Sequence, residues 1–170
     1  MSRLLVKFKA GARAAGVMLV ALGVSTGALA ASGEEMHMHH HGAHLGADVM
    51  PFDLARSLHI FAPTRDGGLQ DVVSRDHDQR QIALIRSHLE KEAAAFARGD
   101  YADPAKIHGA DMPGLAALAA GADRMRVRFE TLPEGGRIRF ESDDPALVQA
   151  LHLWFARQAH DHGADAVLRE

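Results

Sequence analysis

The stretch MRVRFETLPEGGRIRFE, residues 125–141, decides the fold class. Met125, Val127 and Phe129 alternate with Arg126, Arg128 and Glu130, the period-two pattern of a strand with one face buried and the other in water. Pro133-Glu134-Gly135-Gly136 turns the chain, and Ile138 and Phe140 carry the apolar face back along a second strand. Just downstream, Asp144 is a good N-cap with Pro145 at the first helical position. Leu147, Val148, Leu151 and Phe155 then form the apolar stripe of a helix.

The same order recurs nearer the N-terminus. Leu58-His59-Ile60-Phe61 reads as a strand, Asp66-Gly67-Gly68 as a hairpin turn and Leu69 to Val73 as the partner strand. Asp78 to Arg98 reads as a long amphipathic helix, with Ile82, Ile85, Leu89, Ala93 and Phe96 on one face and Gly99 as its stop. Between the two units lies GDYADPAKIHGADMPGLAALAAG, residues 99–121. There Asp103-Pro104 starts one short helix, and Pro113-Gly114 breaks the chain before a second that ends at Gly121. The expectation is an α+β domain: a duplicated ββα unit giving a four-stranded antiparallel sheet with helices packed on one face. Each hairpin turns on a Gly-Gly pair, although the registers of the two helices do not align cleanly.

Outside that domain the composition changes. Arg3, Lys7, Lys9 and Arg13 precede any acidic residue, and Ala14 to Val24 is apolar but too short to span a bilayer. Ala28-Leu29-Ala30 places small residues before a cleavage point. Residues 1–30 therefore read as a signal peptide, and export to the periplasm or the medium is expected, with no membrane association after cleavage. Residues 31–47 read as a flexible His/Met-rich tail and 48–170 as a single domain.

The whole chain has 19 Lys+Arg against 22 Asp+Glu, and losing the four basic residues of the leader leaves 15 against 22, a charge of −7. Such an acidic domain is a poor ligand for nucleic acid or anionic lipid. With no cysteine there is neither a disulfide nor a thiolate, so any soft metal falls to Met and His. No G-x-S-x-G, Walker loop, HExxH or dinucleotide fingerprint occurs.

The remaining signal is histidine, of which there are 12. Imidazole is the commonest protein ligand for transition metals and the one side chain that titrates near neutrality unperturbed. His37, His39, His40, His41 and His44 lie in one tract, MHMHHHGAH, whose mixed thioether and imidazole suits copper, while imidazole alone also suits zinc. Such a tract collects an ion without imposing a geometry, and so reads as a loading arm.

In the body, His59 sits in the first strand. His88 borders the apolar stripe of the long helix one turn before Glu92, and His152 holds a similar border on the last helix. His162 closes that helix, and His108 lies with Met112 in the tight segment IHGADMPG. His59, His88, His108, His152 and His162 are therefore the candidate ligands of a folded site, copper before zinc. Its affinity is expected to weaken as pH falls through about 6.5. Haem is a further option, non-covalent because no CxxCH exists. Two other readings stand beside this one. The first is a small enzyme in which a body histidine acts as general base oriented by Glu92 or an Asp. The second is a module that binds a periplasmic protein through pH-sensitive histidines.

The elements VMPF (49–52), HIF (59–61) with DGG (66–68), FARGDYADPAKIHGADMPG (96–114) and DHGADA (161–166) resemble a family of small exported bacterial proteins. Members of that family carry the label aspartate carbamoyltransferase. The resemblance implies one domain over residues 49–166 and does not cover the His-rich tail. The Ser-Thr-Arg-Thr and His-Pro-x-Gln strings of carbamoyltransferases do not occur here, so that activity is not expected.

Overall fold

A computed structural model describes residues 49–169, so the expected signal peptide and the His/Met-rich tail lie outside the described residues. Two hairpins form the centre of the sheet. Strand β1, Ser57–Thr64, pairs antiparallel with β2, Gly67–Ser74, and β3, Arg126–Leu132, pairs antiparallel with β4, Gly135–Glu141. The hairpins join through β2 and β4, also antiparallel. A fifth strand, β5, Ala166–Leu168, lies parallel to β1, so the sheet is mixed and ordered β3-β4-β2-β1-β5. The expected four-stranded antiparallel sheet is thus corrected by one strand. Those three residues show no alternation of their own and are held by a partner distant in sequence.

Among the described residues, four helices pack on this sheet: α1, Gln79–Phe96; α2, Ala102–His108; α3, Leu115–Ala120; and α4, Pro145–His162. The Asp78 side chain accepts from the Gln81 amide and caps α1, and the Asp144 side chain accepts from the Ala146 amide and caps α4. Phe61, Phe140, Trp154 and Phe155 are buried to 1% exposure or less between sheet and helices. Phe96 and Tyr101 stack at 4.7 Å, and both meet Trp154 nearly at right angles. Away from the helices the strands carry charge. Arg137 grips Asp71 with two bonds of 2.6 and 2.7 Å, and Arg139 donates to Glu130 at 2.7 Å.

The glycine pairs do not make the turns. Arg65-Asp66 and Pro133-Glu134 do, and the glycines open β2 and β4. What demands glycine is the close approach of those two strands. A Cβ on Gly67 would lie 1.9 Å from the Phe140 carbonyl oxygen, and one on Gly135 would lie 1.9 Å from that of Val72. Neither backbone can yield without breaking the central ladder. We expect Gly135→Ala to destabilise by about 3 kcal/mol or more, read as a lowered urea midpoint.

Candidate functional site

β1 is where the site begins. Alternation turns His59 and Phe61 toward the helices together, so one imidazole enters a layer otherwise filled with apolar side chains. His59 is only 3% exposed. Around it lies a cavity of about 40 Å³ walled by side chains from β1, β2, α1, α2 and α4. His59, His88, His108 and His162 all line it, as do Glu92, Asp103, Gln70, Gln158 and Met50.

Four of the five expected body ligands are therefore brought together. The His162 ring stacks on that of His59 at 4.5 Å, and the His108 ring meets His162 edge-on at 5.1 Å. His88 rests on the edge of Phe52, 5.6 Å between centroids, and Phe52 also borders His59. Helix geometry puts them there. His88 lies one turn before Glu92 on α1, His108 ends α2, and His162 ends α4 as that helix runs back over β1.

His152 is the exception. Its Nε2–H donates to the carbonyl oxygens of Thr64 (3.1 Å) and Gly67 (2.8 Å), both flanking the first hairpin turn. It is a clasp between α4 and the turn and not a cavity residue. A stripe position that reads as a border on a helix wheel is here occupied by backbone acceptors. His152→Ala is expected to cost about 1–2 kcal/mol in urea denaturation and to leave metal affinity unchanged. Met112 is buried in the hydrophobic core, apart from the cavity lining, although it follows His108 closely in sequence.

The electrostatics follow from burial. Desolvation holds His59 well below the ordinary imidazole range, and the neighbouring His162 presses it further down. A hydrogen bond to the Asp165 backbone only partly opposes this. His162 is pushed to about 4 by burial and then by His108, and His88 to about 4 by burial and then by Lys91. His108 is also lowered by burial, although Asp161 pulls the other way. Burial thus holds His59, His88 and His162 in the neutral form at pH 7. Glu92 goes the other way, raised to about 7 by burial and then by the facing Asp103 carboxyl, with Lys91 opposing.

Two further features matter. His108 Nδ1 lies 3.2 Å from Asp161 Oδ2, and the Asp161 carboxylate also accepts from Arg157 Nε at 2.9 Å. In the neutral ring Nδ1–H therefore donates, and Nε2 keeps a free lone pair, the way a carboxylate orients a ligating histidine. The second feature is unmet polarity. His59 Nδ1, Gln70 Oε1, Glu92 Oε1 and Gln158 Nε2 are buried without a hydrogen-bond partner, and all four residues line this one cavity. Buried polar atoms are nearly always paired, so this concentration marks a place built around something polar. Among the described residues, no group of three or more His, Asp or Glu side chains is already gathered at metal-holding distance. Gln70, Gln158, Met50 and Asp103 were not legible as site residues. Only Met50 carried a sequence signal, a thioether just after the Met/His tract.

Comparison with family models, with curated proteins and with solved structures found no match.

Proposed function

We propose that this chain is an exported transition-metal-binding protein, copper favoured over zinc, whose body site is the cavity between His59, His88, His108 and His162. The observation that carries this reading is the convergence of four neutral imidazoles and four partnerless buried polar atoms on a single cavity of about 40 Å³. Neutral imidazole is the ligating form, and a small cavity lined by imidazoles suits a single ion. Loading would draw the rings inward by rotation about their side-chain torsions.

The tail tract His37, His39, His40, His41 and His44 is proposed as the collecting arm that feeds the cavity, and the leader as the signal that exports the chain. Among the described residues, no helix is long and apolar enough to cross a membrane. The reading is tested by plasma mass spectrometry on untagged protein in which the tail histidines, with Met36 and Met38, are replaced by serine. Near-stoichiometric copper or zinc supports it. A metal-free protein that stays metal-free after reconstitution overturns it.

The His108–Asp161 pair favours one second reading, since an imidazole fixed by a carboxylate is also an oriented general base. A small His-dependent hydrolase would show turnover in metal-free protein, lost in Asp161→Asn.

We also infer that the domain is a duplicated ββα unit. Gly67 stands to Val72 as Gly135 stands to Phe140, and each glycine lies against the other's backbone oxygen. Gly68 underlies Phe155 of α4 and Gly136 underlies Leu89 of α1, positions equally far past the Asp144 and Asp78 caps. By the same count His88 and Glu92 correspond to Trp154 and Gln158. On this reading one half has specialised in imidazole and the other in packing.

A further inference from the structure

We infer that the ion taken by this cavity is copper in its cuprous state, with the Met50 thioether as a ligand beside the imidazoles. The inference rests on the metal-binding reading and goes beyond it in fixing the oxidation state and naming a sulfur donor.

Two observations converge. Met50 is buried, 6% exposed, and its side chain is part of the same cavity wall as His59 and His88. A thioether is a poor donor to zinc or cupric ions and a good one to cuprous copper, so a sulfur at this wall biases the site toward the soft monocation. The donor set points the same way: two or three soft donors satisfy a cuprous ion, and His59 and His162, whose rings lie 4.5 Å apart, share this wall with Met50.

The MHMHHHGAH tract offers the same donor pair, thioether and imidazole, and would hand over the ion without a change of ligand type.

The test compares wild-type and Met50→Leu protein, both with the tail histidines and Met36 and Met38 replaced by serine. Cuprous ion is titrated anaerobically against bicinchoninate, and zinc against a chromophoric chelator. Leucine keeps the packing volume and removes only the sulfur. The expected result is a cuprous affinity above the zinc affinity in wild type. In Met50→Leu it should fall about tenfold or more, with zinc affinity and urea midpoint unchanged. X-ray absorption should show a copper–sulfur shell that the leucine variant lacks. Equal cuprous affinity in the two proteins would overturn the sulfur ligand while leaving an imidazole site standing. Tighter zinc than cuprous binding would overturn the oxidation state, and no binding of either ion would overturn the metal reading together with it.

Discussion

Metal-free protein is expected to lose about 3 kcal/mol of stability per pH unit between pH 6 and 4.5. It should unfold in acid well before an ordinary domain whose carboxylates alone titrate. His59, His88 and His162 are neutral in the fold, with His88 and His162 held at about 4, whereas the same rings in the unfolded chain protonate near 6.5. Between those values the unfolded state binds protons that the folded state refuses, so stability rises with pH there and is complete above the unfolded value. Glu92 opposes the effect. Raised to about 7, it keeps a proton in the fold that the unfolded chain releases near 4.5, so its contribution is present at low pH and lost as pH rises through 7. Three rings against one carboxyl leaves a net uptake of about two protons on unfolding, which at about 1.4 kcal/mol per proton per pH unit gives the stated slope. Domains of this size hold about 5–15 kcal/mol in all. Urea midpoints measured from pH 7.5 to 4.5 check the prediction, and a flat profile over that range would mean that the rings are not buried as described. Bound metal should shift the acid transition downward, because it stabilises the neutral rings.

The second large effect concerns the ligands themselves. His59→Asn and His162→Asn are each expected to weaken body metal binding by about 100-fold or more, which corresponds to about 3 kcal/mol. Asn is close to the imidazole in size and polarity, so a loss of that order reads donor chemistry and not collapse. Asp161→Asn should weaken it by about 10- to 100-fold without removing a ligand, because Asp161 only fixes which His108 nitrogen carries the proton. The corresponding changes at His152 should leave affinity where it was, since that ring is spent on the Thr64 and Gly67 carbonyls. Isothermal titration of the four variants in the tail-substituted background separates these cases. Uniform losses across all four would point to a folding defect, and no loss at His59 or His162 would remove the cavity from the account.

Local pattern carried most of the fold. Alternation in residues 125–141 and the Asp144-Pro145 cap predict the existence and order of β3, β4 and α4, because those signals depend on neighbours along the chain, although β4 begins at Gly135, inside the expected turn. β5 escaped, being three residues whose strand character comes from pairing with His59, Ile60 and Phe61. The Gly-Gly pairs read as turn residues in the sequence but open β2 and β4 in the fold. Their requirement comes from an approach between β2 and β4 that only the assembled sheet reveals.

The site was legible as a residue type and not as a place. Residue type nominated His59 in a strand, His88 at a stripe border, His108 in a tight loop and His162 at a helix end, yet nothing in spacing separates them from His152, which meets the Thr64 and Gly67 carbonyls. Gln70 and Gln158 were invisible for a related reason. A glutamine becomes informative only when it is buried and partnerless, and burial is a property of the fold.

The most direct measurement is an anomalous diffraction experiment on crystals of tail-substituted protein loaded with copper. The account predicts one strong peak inside the cavity, in contact with His59 and His162 and within reach of His108 Nε2. A peak only on the surface, with the cavity holding nothing heavier than water, would contradict it.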